Sequence, residues 1–143
     1  MGYSENTELF DAPCREIQNE LGIRFAAIID HNGKKIAGGF KEGIIPLEGD
    51  EQRLQDFFKI VVDLSLKTTD FSNSLGALNY ISLRKDKVIL IIFPFPITEK
   101  ILLISAEPNV ETEKLASRIV NIFSDSSLSS IIGSAGLAGL NDT

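Results

Sequence analysis

The stretch Ile23-Arg24-Phe25-Ala26-Ala27-Ile28-Ile29-Asp30-His31-Asn32-Gly33-Lys34-Lys35-Ile36-Ala37-Gly38-Gly39 contains two apolar runs on either side of the dipeptide Asn32-Gly33. Asn and Gly both tolerate the positive φ that a two-residue type I′ turn requires, so this dipeptide is a strong hairpin signal. Each flanking run has the composition of a short strand. The sequence therefore predicts a β-hairpin with Asn32-Gly33 at its turn.

Helical patterns lie on both sides of this hairpin. Upstream, Asp11 is predicted as an N-cap with Pro13 in the first turn, and apolar residues at helical spacing follow until Gly22. Downstream, residues 50–67 carry apolar side chains at i, i+3, i+4 and i+7, the strongest helical pattern in the chain. Turn-forming residues predict a loop between the hairpin and this second helix: Gly38, Gly39, Gly43 and Pro46.

The second half of the chain is predicted as three strands followed by a helix. Residues 77–84, 87–93 and 101–104 have strand composition, and Pro108-Asn109 is predicted to open the last helix. The second of these strands shows no alternation with polar residues, which indicates that helices cover both faces of the sheet at its centre. The order of elements predicts one compact α+β domain.

Composition divides the chain into three parts. Residues 1–8 are polar without a period and are predicted to be a flexible N-terminus, residues 9–123 form the domain, and residues 124–143 form a tail rich in Ser, Gly and Ala. The tail is interpreted either as a flexible terminus or as a docking segment. The second interpretation depends on apolar residues at helical spacing: Leu128, Ile131, Ile132 and Ala135.

Charge and cysteine content narrow the classes of partner and compartment. Twenty acidic residues against 14 basic ones give a net charge of −6, which repels nucleic acid. The basic pair Lys34-Lys35 is predicted only to keep its turn solvated. The single cysteine cannot form an intramolecular disulfide, no secretory signal opens the chain, and residues 88–95 are too short an apolar run to span a bilayer. These features predict a cytoplasmic protein without a membrane span.

The residues of common active sites are missing or isolated. His31 is the only histidine and falls in a predicted turn, and Cys14 lies on an apolar helical face where a thiol behaves as a small hydrophobic group. No set of metal ligands clusters in the sequence, and no glycine-rich motif has the context of a phosphate-binding loop. We therefore predict no catalytic residues, no metal, no cofactor and no enzymatic activity.

The residues from about Asp11 to Phe123 resemble the Roadblock / dynein light chain superfamily. The run Ala27 to Gly38 is similar to that family's first hairpin, an apolar strand ending D-x-x-G and a short strand ending in Ala and a small residue. Residues 74–108 are also similar to short archaeal proteins of this type. The resemblance implies a five-stranded antiparallel sheet with one helix on one face and two on the other, in the order α-β-β-α-β-β-β-α.

The resemblance also implies a function and an interface. Family members generally act as non-catalytic dimeric platforms, and some regulate small Ras-like GTPases. Their dimers form through the third strand and the second helix, here residues 77–84 and 50–67. The apolar stripe of this helix is widened by Val62 and Leu66, as expected if the helix also contacts a second subunit. The predicted interface comprises Leu54, Phe57, Phe58, Val61, Val62, Ser65, Asn79, Ile81 and Leu83.

Two functions follow as expectations. The first is a non-enzymatic dimeric adaptor or scaffold that pairs with itself or with a related Roadblock-like subunit and binds a partner such as a small GTPase. The alternative is a sensor domain that binds a small molecule between sheet and helix. Its pocket would be lined by aromatic residues that otherwise form packed core: Phe25, Phe57, Phe58, Phe93 and Phe95.

Overall fold

The computed structural model describes residues 2–47, 51–69, 72–95 and 100–124. The elements are α1 (Gly2–Gln18), β1 (Ile23–Ile29), β2 (Lys35–Phe40), α2 (Glu51–Thr69), α3 (Ser72–Leu75), β3 (Ile81–Arg84), β4 (Ile89–Phe95), β5 (Lys100–Ala106) and α4 (Thr112–Ser124). Apart from the one-turn helix α3, this is the predicted order of elements. The predicted α+β fold is confirmed.

The five strands form one antiparallel sheet in the order β2-β1-β5-β4-β3. Strands β1, β5 and β4 lie inside the sheet, and β2 and β3 are its edges. The interior strands are the ones with long apolar runs, because both of their faces must be covered. The outer side of each edge strand carries backbone N–H and C=O groups that no other strand of the described residues pairs.

Helices cover both faces of this sheet and create two separate cores. The first core lies between the sheet and the pair α1 and α4, and the helices contribute Phe10, Cys14, Ile17, Leu115, Ile119, Val120 and Phe123. The second core lies between the opposite face and α2, which contributes Phe58, Val61 and Val62. The expectation of one helix on one face and two on the other is confirmed.

The first helix begins earlier than predicted. Helix α1 starts at Gly2 and contains Pro13 in its interior, so the prediction of an N-cap at Asp11 is wrong. A proline inside a helix removes one backbone hydrogen bond, here the bond to the Leu9 carbonyl, and the buried ring of Pro13 remains part of the packed structure. The domain limits at residues 9 and 123 stay predictions, and residues 125–143 lie outside the described part of the chain.

The turn of the first hairpin has a different register from the predicted one. The Gly33 N–H donates to the Asp30 carbonyl, and the Asp30 N–H donates to the Lys34 carbonyl at 2.9 Å. The loop therefore has three residues rather than the predicted two-residue type I′ turn. The Asp30 carboxylate fixes this register, because its Oδ1 accepts N–H bonds from Asn32 and Lys34, each at 2.9 Å.

Two glycines predicted to end the second strand are part of it. Gly38 pairs with Ala27 and Gly39 with Ala26 in the β1–β2 ladder. Gly38 has φ +82°, and a Cβ at this position would lie 2.2 Å from the Ala26 carbonyl oxygen. Helix α1 packs beside these small residues, and the Gln18 side-chain amide donates to the Gly39 carbonyl at 3.0 Å. Glycine is used here for close packing rather than for breaking the strand.

Strand and helix limits in the second half shift by a few residues. β3 covers Ile81–Arg84 only, shorter than the predicted 77–84. β4 is shifted two residues towards the C-terminus from the predicted 87–93, and β5 extends beyond the predicted 101–104 at both ends. The last helix begins at Thr112 rather than at Pro108-Asn109. The carbonyl of Pro108 instead accepts a bond from Arg84 at 2.7 Å, which ties the end of β3 to the loop before α4.

Candidate interaction surface

Nine residues are predicted at a dimer interface, and the structure separates them into two groups. Phe58, Val61, Val62 and Ser65 are 3%, 1%, 3% and 2% exposed and lie between α2 and the chain's own sheet. A partner cannot contact these side chains while the chain is folded. The remaining five reach the surface: Leu54, Phe57 and Ile81 are half-buried, and Asn79 and Leu83 are exposed.

Helix α2 has two opposite flanks beside its buried face. One flank faces the β1–β2 turn, where the Gln55 amide donates to the Gly33 carbonyl at 2.7 Å and a Cβ on Gly33 would lie 3.0 Å from the Lys59 side chain. A helix turns by about 100° per residue, so positions 57, 60 and 64 fall on the other flank. That second flank carries Phe57, Ile60 and Leu64, and Ile60 is 63% exposed.

Sequence reasoning missed Ile60, although a signal was available. The helical pattern identified one wide apolar stripe and placed the extra width at Val62 and Leu66. Val62 is buried, whereas Leu66 is 49% exposed on the flank that carries Lys59. The spacing i, i+3, i+7 from Phe57 identifies the second flank directly, and its middle residue is the most exposed apolar side chain of α2.

Strand β3 adds an open sheet edge to this flank. β3 pairs only with β4, in a register that sets Ile81 opposite Ile92 and Leu83 opposite Leu90. Ile81 packs against the second core, so Leu83, two residues later, projects from the same face of the sheet. Leu83 is 37% exposed there. An edge strand with apolar side chains is a template for pairing with another chain.

The flank of α2 and the edge strand border the same core, because Phe57, Leu64 and Ile81 are all half-buried against it. Phe57, Val88 and Leu90 border a cleft of only about 20 Å³, so the helix and the sheet are in close contact at this point. Leu90 is in turn the strand partner of Leu83. We call the resulting region the interaction surface, defined by Phe57, Ile60, Leu64, Ile81 and Leu83.

The residues considered for catalysis do not come together. His31 lies exposed in the β1–β2 turn, and Cys14 is fully buried in the first core. Within the described ranges, no group of three or more His, Cys, Asp or Glu residues is placed to hold a metal ion. Among the helices of the same ranges, none combines the length and apolar character needed to cross a bilayer.

Burial makes Cys14 chemically inert, and this can be tested. Desolvation, with a smaller contribution from the Asp11 carboxylate, raises the pKa of the Cys14 thiol to about 12. Only the thiolate reacts, so iodoacetamide at pH 8 should modify native Cys14 at least about a hundredfold more slowly than the urea-unfolded chain.

The unfolded thiol loses its proton near pH 8.5 and the native thiol does not. The free energy of unfolding should therefore fall as pH rises from about 9 towards 12, and Cys14→Ala should remove this part of the fall. Equal alkylation rates in both states would contradict the burial of this thiol.

Several solved structures have a fold similar to that of this chain. The Roadblock/LC7 domain from Streptomyces avermitilis is 11% identical, with a TM-score of 0.59, over 81% of this chain and 90% of that one. MglB from Myxococcus xanthus is 12% identical, with a TM-score of 0.64, over 87% and 94%. An MglB structure described as having a tetrameric arrangement is 14% identical, with a TM-score of 0.60, over 92% and 84%.

At these identities the likeness shows the fold alone, and that fold is the Roadblock fold. A search of curated proteins found no match. A family model described as a family of unknown function, DUF6659, matches residues 4–128, which is most of the chain. Its fold is the Roadblock fold, and the chain belongs to the DUF6659 family.

Proposed function

We propose that this protein is a cytoplasmic, non-enzymatic scaffold whose subunits dimerise through the interaction surface. The observation that carries the proposal is the continuity of exposed apolar side chains on α2 with an unpaired strand edge. Exposed apolar patches of this kind on monomers mark sites of protein association. Leu83 and Ile60 are 37% and 63% exposed in the single chain, and pairing would remove both from water.

The geometry of the surface suits two copies of the same chain. Two β3 edges meeting in antiparallel fashion would join the two sheets into one, with the α2 flanks packed against each other above the join. Such an interface is isologous: the same patch is used on both subunits and the assembly closes. Self-association also agrees with the tetrameric arrangement described for one MglB structure of this fold. A related Roadblock-like subunit with a similar edge would fit in the same way.

Charged substitutions on the interaction surface should separate the subunits. We expect Ile60→Asp combined with Leu83→Asp to weaken dimerisation at least about a hundredfold, because the interface would then bury carboxylates without partners. Both residues are exposed in the monomer, so the fold should be retained. Light scattering over a range of concentrations, with circular dichroism to confirm folding, measures the effect.

Leu66→Asp is the matched control for this experiment. Leu66 is an exposed apolar residue on the same helix but on the opposite flank. This variant should remain dimeric. A wild-type chain that stays monomeric at about 100 μM, or a double variant that dimerises like the wild type, would reject the proposed interface. A charged substitution at Phe58 or Val61 would not test the interface. Both residues are 3% or less exposed, so such variants would disrupt the second core.

The partner of the dimer is proposed to be a small Ras-like GTPase, on the basis of the family resemblance. A purified GTPase from the same organism should bind the wild-type protein in surface plasmon resonance and bind the monomeric double variant much more weakly. Equal binding of both forms would show that the dimer is not the platform. Absence of binding by every small GTPase of that organism would reject this class of partner while leaving the dimer proposal intact.

A further inference from the structure

A cavity of about 560 Å³ lies between the N-terminal half of α2 and the strands β1 and β2. This volume falls within the range of small-molecule sites in proteins. Its floor is formed by Phe25, Phe40 and Phe58 with Leu54, and its rim carries Lys35 and Gln52. The cavity borders the flank of α2 that faces the β1–β2 turn. It shares Phe25, Phe40, Leu54 and Phe58 with the narrow cleft that Phe57 and Leu90 border.

The aromatic floor is held rigidly in place. Phe25 and Phe58 are each 3% exposed. The rings of Phe25 and Phe40 meet edge to face with centroids 4.8 Å apart, and the ring of Phe58 lies 5.8 Å from that of Phe25. Phe25 and Phe58 thus support the floor from beneath, and the apolar surface open to a ligand is that of the half-buried Phe40, Pro46 and Leu54.

Lys35 supplies a positive charge at the rim of this cavity. The Lys35 side chain extends along β2 towards Gly39, and its ammonium would lie 3.4 Å from a Cβ built on that glycine. Gly39 has no side chain, so it leaves room for the ammonium. Among the residues that the structure describes, Lys35 forms no ion pair. An apolar floor beside a single uncompensated ammonium matches a ligand that has an apolar body and one negative charge.

A second groove of the molecule lacks this combination. It has a volume of about 690 Å³ and lies beside the start of α4. Its lining carries three basic residues and three acidic ones, so their charges balance: Lys41, Lys114 and Arg118 against Glu42, Glu107 and Glu111. Glu107 also pairs with Arg24 at 3.2 Å, and Lys114 pairs with Glu111 at 3.1 Å. The cavity at Lys35 is therefore the better site for a charged small molecule.

The geometry points to this cavity as a binding site for an apolar carboxylic acid. The aromatic or short alkyl body lies against Phe40, Pro46 and Leu54, and the carboxylate contacts the Lys35 ammonium. The site gives the chain a small-molecule ligand in addition to a protein partner. The residues that would contact the ligand do not belong to the interaction surface: Lys35, Phe40, Pro46 and Leu54.

The test uses 4-phenylbutyrate as the probe and its neutral amide, 4-phenylbutyramide, as the comparison ligand. In an NMR titration of the full-length protein, the acid should give saturable shifts at the Leu54 methyl groups and none at those of Leu83. The amide should bind more weakly. Lys35→Gln should weaken binding of the acid about fivefold, the upper range for an exposed ion pair. Lys34→Gln is the matched control: it removes the same charge from the neighbouring exposed lysine, which does not line the cavity, and should leave the affinity unchanged.

A second variant tests the apolar part of the site. Leu54→Trp places a larger ring in the cavity, leaves Lys35 in place, and should abolish binding of the acid. Four results would overturn the inference: no saturable shift up to about 10 mM acid, equal binding of acid and amide, equal effects of Lys34→Gln and Lys35→Gln, or full binding by a folded Leu54→Trp variant. Each of these results leaves the dimer proposal unaffected.

Discussion

Replacing Gly38 with alanine is expected to lower the free energy of unfolding by about 4 kcal/mol or more, close to the upper limit for a single substitution. The added Cβ would lie 2.2 Å from the Ala26 carbonyl oxygen and 2.8 Å from the Ala27 Cα. Both contacts are with the backbone of the neighbouring strand, which cannot turn aside as a flexible side chain can. The φ of +82° adds a further cost of about 1–2 kcal/mol for any residue with a Cβ. Urea denaturation measures the loss.

The Gly43→Ala variant separates the cost of the steric clash from the cost of the positive φ. Gly43 has a similar φ of +85°, but a Cβ there meets nothing within 4 Å. This control should therefore show the conformational cost alone, about 1–2 kcal/mol. If both variants lost the same stability, the close approach of β1 and β2 at Gly38 would be wrong.

Phe93→Ala should be the second most damaging change, with a loss of about 3–5 kcal/mol. Phe93 is fully buried in the first core, and its ring centroid lies 5.6 Å from that of Tyr80. Truncation removes the transfer free energy of the ring and leaves a cavity that the sheet cannot collapse to fill. Leu75→Ala is the control, because Leu75 is 80% exposed and should change stability by less than about 0.5 kcal/mol. A loss of less than about 1 kcal/mol for Phe93→Ala would contradict the packing of this core.

The aromatic residues considered for a sensor pocket have different roles in the structure. Phe25 and Phe58 border both the cavity at Lys35 and the narrow cleft beside it, whereas Phe57 borders the cleft alone and belongs to the interaction surface. Phe93 is packed core on the other side of the sheet, and the side chain of Phe95 lies outside the described part of the structure. Composition alone could not separate these roles, because all five positions carry the same residue type.

The central part of the fold was predictable because its signals are local. An apolar run without polar alternation predicts a strand covered on both faces, and β4 shows this pattern over residues that the structure buries. The helical spacing of residues 50–67 likewise predicts α2 almost to its ends. Both patterns depend on residues within one element, so no knowledge of the neighbouring elements is needed.

The predictions that differ from the structure concern features that depend on contacts between elements. The Asp30 carboxylate sets the register of the first turn through two backbone N–H groups, a geometry that the Asn-Gly signal does not contain. The Gln55 amide donates to the Gly33 carbonyl 22 positions away in the chain, which ties one flank of α2 to the first turn. Helical spacing therefore identified an apolar stripe but not which residues of the stripe face the sheet. For this reason Phe58 and Val61 were predicted at an interface that Ile60 fits better.

The two edges of the sheet are not equivalent, and this difference limits how far the protein can polymerise. At β2, two consecutive glycines with φ of +82° and +149° depart from regular strand geometry beside helix α1, so this edge is a poor template for a new strand. At β3 the strand is regular and open. A copy that pairs through its β3 edge leaves only its β2 edge exposed, and β2 is the distorted strand. In the proposed dimer, assembly by strand addition would end at two chains, so an open edge that otherwise carries a risk of amyloid-like growth would produce a finite particle.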